Sequence, residues 1–194
     1  MSTAAEIRAA ARAQGRAQVR DAVLDAAYAA TVSGGWGRVR MGALAAEVGI
    51  SRQGLYNEFG SKADLGQALV LRDAEEFLRG VGALLDGGED ALASAATEAL
   101  QRLSEHRLLQ SIVTAPSDGA LLPLLTSRSG PLVERATQVL VAWSRTHRPA
   151  CDAQRAAEMA DVLVRLVISY AVMPGDSPAA VGRRLAEVFE AGLR

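Results

Sequence analysis

VRMGALAAEVGISRQGLYNEFGSK, residues 39–62, is the stretch whose reading decides the fold. Met41, Leu44, Ala45 and Val48 fall at i, i+3, i+4 and i+7, which stacks them on one face of a helix. Gly49 stands where that helix should end, because glycine enters the left-handed region without a Cβ clash, and Ile50 can then return an apolar side chain to the core. Ser51 is a good N-cap for a second helix, and Leu55 with Phe59, four apart, give it a buried edge. Arg52 and Tyr56 are also four apart, as are Gln53 and Asn57, so these four share the side away from Leu55. Two short helices about a glycine turn, the second with one polar face, are expected to form a helix-turn-helix.

The polar face has the chemistry of a DNA reader. A major groove about 12 Å wide admits one helix, and Arg and Gln can bond bidentately to guanine and adenine there. Arg52 and Gln53 are therefore the candidate base readers. Tyr56 suits a phosphate, a contact that sets register without carrying sequence information, and Asn57 suits either task. Gly54 costs about 1 kcal/mol relative to Ala inside a helix, but it allows close approach of backbone to DNA. Ser61-Lys62-Ala63-Asp64 has the S-x-x-D form of a capping box, and Lys62 in the first turn of a third helix is a candidate phosphate ligand.

The pattern resembles that of the tetracycline-repressor-like (TetR) family of bacterial regulators. Gly35, Trp36, Val39, Met41, Leu44, Ala45, Val48, Gly49, Ile50, Ser51, Leu55, Tyr56, Phe59, Ser61, Lys62 and Leu65 stand at the matching positions. The resemblance implies an all-α protein with an N-terminal three-helix DNA-binding domain. It further implies a C-terminal helical domain that binds a ligand and dimerises through its last two helices. Three positions depart from the family pattern. Arg40 replaces the usual Ser or Thr cap of the second helix, though it can reach a phosphate; Gly54 replaces a small residue that approaches DNA; and Glu58 puts a carboxylate where a phosphate would repel it.

Upstream, Arg8, Arg12, Arg16 and Arg20 recur every four residues on one expected helical face. Residues 1–15 read as a flexible basic arm, either lying on DNA or simply solvated, and Gly15 favours partial disorder. A first helix is expected over residues 16–31, with Val19, Val23, Ala27 and Ala30 buried, ended by Ser33-Gly34-Gly35. Residues 16–62 form the expected DNA-binding domain. Charge supports this division: residues 1–62 hold eight Lys/Arg against five Asp/Glu, whereas residues 63–194 hold thirteen against seventeen. A local basic balance is what phosphate neutralisation requires.

Downstream, residues 63–194 read as the ligand-binding and dimerisation domain. A long helix is expected to about Leu85, followed by one capped by Asp90 and another over residues 106–115. Pro116-Ser117-Asp118-Gly119 marks a turn, and a short apolar segment spans residues 120–126. Pro131 opens a helix running to about Thr146. Residues 152–173 are apolar on more than one face, which predicts burial on two sides; either the second side faces a second copy, or the last two helices both cap the chain's own core. Ser177-Pro178 opens the last helix.

Apolar Leu84, Leu100, Leu103, Leu108, Ile112, Leu121, Leu122, Leu125, Trp143, Leu163, Val167 and Tyr170 can line a cavity for a small lipophilic effector, or fill it as ordinary core. His106, Arg107, Gln110, Arg165 and Tyr170 are the polar candidates. The sharpest set for ligand binding is Leu84, Leu103, His106, Gln110, Leu121, Trp143, Arg165 and Tyr170. A fatty acyl chain or another lipophile fits such walls better than a charged metabolite.

With one cysteine and two distant histidines, no metal or cofactor is expected, and no Ser-His-Asp set or phosphate loop points to an enzyme. No signal segment or long apolar span is present, so a cytoplasmic protein is expected, without membrane attachment. The functional expectation is a repressor that binds an inverted-repeat operator on double-stranded DNA as a homodimer and is released by its effector. The alternative is a helical ligand- or partner-binding protein with a degenerate DNA-binding domain.

Overall fold

The computed structural model describes residues 3–88, 90–114 and 120–194, and among them all regular structure is helical. Helices α1 (Ala4–Gly34), α2 (Met41–Val48), α3 (Arg52–Phe59) and α4 (Lys62–Gly82) are followed by α5 (Ala91–Glu105), α6 (Arg107–Thr114) and α7 (Leu122–Leu125). Helices α8 (Gly130–His147), α9 (Ala153–Val172) and α10 (Pro178–Gly192) complete the chain, and a 3-10 turn, Trp36–Arg38, joins α1 to α2. The turn expected at residues 116–119 and the helix end expected at Ala115 lie outside the described residues. No described helix is long and apolar enough to cross a membrane.

Helix α1 begins three turns earlier than expected. Thr3 and Glu6 form a reciprocal capping box, the Thr3 hydroxyl accepting from the Glu6 N–H and the Glu6 carboxylate from the Thr3 N–H. The segment expected as a flexible arm is therefore helical from Ala4, and Gly15 does not break it. Val19, expected on the buried face, is exposed, since no described residue packs over this part of α1; burial starts at Val23 and Leu24.

Helix α4 ends at Gly82 rather than near Leu85, and residues 83–86 form turns. Asp90 does not cap α5 with its side chain. Its backbone, at φ −104° and ψ 19°, lacks the extended geometry that aims a capping oxygen at the first turn. Asp152 and Ser177, at ψ 136° and 144°, do cap α9 and α10 with their side chains.

The N-terminal core does not stop at residue 62. Val23, Trp36, Met41, Leu44, Leu55, Phe59 and Leu65 pack in one cluster with Leu108, Leu109 and Ile112 of α6 and Leu121, Leu124 and Leu125 around α7. Each such fully buried Leu or Phe contributes roughly 1.5–3 kcal/mol relative to exposure. A second core joins α5, α8, α9 and α10 through Leu92, Leu100, Trp143, Leu163, Leu185 and Phe189. Gly182 of α10 lies directly against Thr97 of α5, so close that a Cβ would come within 2.7 Å of the Thr97 backbone nitrogen.

Candidate nucleic-acid interface and effector cavity

The turn between α2 and α3 has the expected construction. Gly49 adopts φ 76°, and the Ile50 N–H bonds the Ala45 carbonyl at 2.9 Å. Ser51 is extended, and its Oγ accepts the Gly54 N–H at 2.9 Å. A Cβ at Gly54 would stand 3.2 Å from that Oγ, so the absent side chain leaves the cap room. Leu55 and Phe59 are buried. Arg52, Gln53 and Asn57 face solvent, and Tyr56 is half-buried against the N-terminal core.

The outward side chains are already ordered among themselves. The Gln53 amide donates to Asn57 Oδ1 at 2.9 Å, and the Arg52 guanidinium lies 5.6 Å from the Tyr56 ring centre. Arg8, Arg12 and Arg16 are exposed along the N-terminal turns of α1. Arg20, the fourth of that series, instead turns to α3, where it pairs with Glu58 at 3.2 Å.

Two expected phosphate ligands are engaged elsewhere. The Lys62 ammonium donates to the Trp36 carbonyl at 2.7 Å and the Gly37 carbonyl at 3.4 Å, and sits 5.2 Å over the Trp36 ring. It thereby ties the start of α4 to the 3-10 turn. Arg40 makes no side-chain cap of α2; its guanidinium donates to the Gly37 and Val39 carbonyls, the latter at 3.2 Å. Ser61, by contrast, caps α4 as expected, accepting from the Asp64 N–H.

Between α4, α5, α6, α8 and α9 lies a cavity of about 170 Å³. Its walls include Val70, Ala74, Phe77, Leu78 and Val81 from α4, Leu92, Ala95, Ala99 and Leu103 from α5, and Leu108, Leu109 and Ile112 from α6. Leu125, Leu132, Ala136, Val139, Leu140, Leu163, Val164, Val167 and Ile168 close the remainder. Asp73 and His106 are the two polar residues of this lining. Their Oδ2 and Nε2 atoms are 3.6 Å apart, and His106 meets Phe77 edge to face. Burial pushes the Asp73 carboxyl above its ordinary range, and the His106 charge opposes that rise. The Tyr28 hydroxyl on α1 is also raised, by burial first and then by the Asp73 charge.

Of the eight sharpest ligand candidates, Leu103 and His106 line the cavity. Leu84 packs half-buried on the second core, and its neighbour Leu85 faces the cavity instead. Gln110 donates to the Ser104 carbonyl. Leu121 packs on α4 at Gly66, inside the N-terminal core. Trp143 donates to the Leu85 carbonyl at 2.9 Å and stacks on His147. Arg165 pairs with Asp161 on the surface, and the Tyr170 hydroxyl accepts from Arg184. From the wider apolar set Leu108, Ile112, Leu125, Leu163 and Val167 line the cavity, whereas Leu100 and Leu122 do not.

Asp73 escaped the sequence reading, although a signal was present. Val70, Ala74, Phe77 and Val81 make an apolar stripe on α4, and Asp73 interrupts its inner edge.

Comparisons with known proteins agree with both halves of this arrangement. Residues 23–69 match the model of the bacterial regulatory proteins of the tetR family, and residues 88–191 match that of the bacterial tetracyclin repressor C-terminal domain. The HTH-type transcriptional regulator AlkX of Mycobacterium tuberculosis is 31% identical over 159 residues, covering 79% of this chain and 75% of that protein. The crystal structure of the TetR family repressor AlkX from Dietzia sp., implicated in biodegradation of n-alkanes, superposes with a TM-score of 0.72 at 29% identity. It covers 89% of this chain and 98% of that one. The regulator RolR in complex with resorcinol shares the fold at 20% identity, with a TM-score of 0.63 over 94% of this chain and 96% of that one.

Proposed function

Because the chain belongs to the TetR family of bacterial transcriptional regulators, we propose that it is a cytoplasmic repressor that binds an inverted-repeat operator as a homodimer and is released by a small lipophilic effector. The observation that carries this reading is the face of α3. Arg52, Gln53 and Asn57 project together into solvent from a helix whose opposite edge, Leu55 and Phe59, is buried. Arg52 and Gln53 read bases, with Ser51, Gly54, Tyr56 and Asn57 close to the backbone of the DNA; Arg40 and Lys62 reach phosphate only by leaving their carbonyl partners.

The exposed apolar side chains of the last two helices support dimerisation. Val162 and Met173 at α9 are 44% and 71% exposed, and Val188 on α10 is 45% exposed. A second copy covering them would place two copies of α3 in successive major grooves about 34 Å apart.

The apolar cavity supports a lipophilic effector, as does the n-alkane context of the Dietzia AlkX. Polar contacts join the helices of its walls to α1: Ser111 of α6 donates to the Thr31 carbonyl at 2.9 Å, and Arg72 of α4 donates to the Asp21 carbonyl at 3.1 Å and pairs with Asp25 at 2.8 Å. A ligand that favours one arrangement of α4 and α6 therefore shifts α1, and a coupling of about 1–3 kcal/mol changes operator affinity roughly 5- to 150-fold. The alternative of a lapsed DNA-binding domain draws on Gly54 and Glu58, and the Arg20 pairing weighs against the Glu58 part of it.

Selection of DNA from random oligonucleotides by the purified protein tests the proposal. A symmetric site bound with steep salt dependence is the expected result; no DNA binding overturns the repressor reading, and a single asymmetric site overturns the dimer.

A further inference from the structure

Resting on the reading of the cavity as the effector site, we infer that the effector is an uncharged aliphatic alcohol whose hydroxyl lies between Asp73 and His106. The walls offer a ligand apolar contact everywhere except at this pair. Oδ2 of Asp73 and Nε2 of His106 are 3.6 Å apart, too far for a direct hydrogen bond of normal length, and both side chains are partly accessible. A hydroxyl oxygen beside the gap reaches both: it donates its proton to the carboxylate and accepts from the imidazole N–H.

Other head groups match the pair less well. A carboxylate brings only acceptors and sets a second negative charge against Asp73. An ammonium pairs with Asp73 but brings only donors, so an imidazole that holds its proton on Nε2 gains no acceptor from it. A hydrocarbon brings neither donor nor acceptor and leaves the two groups only each other at 3.6 Å, beyond a hydrogen bond of normal length. The volume of about 170 Å³ is on the scale of the roughly 150 Å³ apolar cavity that admits benzene, so medium-length chains are the right probes.

The intact protein is titrated calorimetrically with octan-1-ol, 1-methoxyheptane, octanoate and octylammonium. Octan-1-ol and 1-methoxyheptane have the same number of heavy atoms, but the ether has no proton to donate. The alcohol is expected to bind roughly ten-fold or more tightly than the ether, as expected when a site loses a hydrogen-bond partner. In Asp73→Leu, with folding checked by its melting midpoint, the two should bind within about two-fold of each other while the ether keeps its affinity. Equal binding of alcohol and ether by the unmodified protein, or tightest binding of octanoate or octylammonium, overturns the head-group assignment and leaves the lipophilic cavity standing. Failure of all four to bind overturns the effector site itself.

Discussion

Arg20 of α1 and Glu58 of α3 stand 3.2 Å apart, and the same guanidinium lies 4.7 Å from the Phe59 ring centre. The pair is 41% and 29% exposed, so it adds only about 0.5 kcal/mol to stability. Its larger effect is electrostatic. A carboxylate on the helix proposed to enter DNA would repel phosphate, and Arg20 offsets that charge from a separate helix.

Arg20→Ala is thus expected to weaken DNA binding several-fold with little loss of thermal stability. Adding Glu58→Gln should restore most of the affinity. Titration of labelled DNA with the two single variants and the double variant measures the coupling; additive effects would mean that the pair has no such role.

Arg52→Ala and Gln53→Ala each remove a proposed base contact and should cost about 1–3 kcal/mol of discrimination at one position of the site. The effect is expected as relaxed sequence preference in a selection experiment. Stability should hold, because both side chains are exposed on α3.

Lys62→Met removes the donor that joins the Trp36 carbonyl to α4. A loss of about 1–2 kcal/mol is expected, seen as a lower melting midpoint. The salt slope of DNA binding should stay the same; a fall of about 0.9 would show that the ammonium exchanges Trp36 for a phosphate in the complex.

Gly182→Ala and Gly66→Ala test two kinds of close packing. A Cβ at Gly182 meets Thr97 Oγ1 at 2.3 Å and the Thr97 backbone nitrogen at 2.7 Å, so α5 and α10 must separate. Overpacking of this kind costs typically about 1–3 kcal/mol or more. At Gly66 the obstacles are Leu121 Cδ2 and the Trp36 ring, at 2.7 and 2.9 Å, and the leucine can change rotamer. Gly182→Ala should therefore lower the melting midpoint further than Gly66→Ala.

Asp73 makes stability depend on pH. Its carboxyl is raised by burial, so the native state holds that proton more tightly than the unfolded chain does. Stability contributed by the protonated group falls as pH climbs from the ordinary carboxylate range through the raised native value. Asp73→Asn should therefore raise the melting midpoint at pH 7, and its advantage should shrink in acid.

Much of the DNA-facing unit was legible because its rules are local. A left-handed glycine at position 49, a serine cap at 51 and apolar partners four apart at 55 and 59 specify the turn and both helix faces within eleven residues. The caps at Ser61 and Ser177 were legible for the same reason. Asp90 misled because a capping residue type does not determine the backbone angles that make it a cap.

The sequence by itself determined the order of the helices, the turn between α2 and α3, and the buried edges of those two helices. Only the tertiary structure decided which inward side chains meet a neighbour and which meet a void. Leu121 and Leu125 are equally apolar, four apart and both part of the N-terminal core, yet of the two only Leu125 also borders the cavity, while Leu121 packs at Gly66. Likewise Arg20 reaches Glu58 across thirty-eight residues, and Asp73 of α4 meets His106 at the junction of α5 and α6. Periodicity along a chain records burial, a property of one helix face; pairing and empty space depend on where the other helices lie, and no local spacing encodes that.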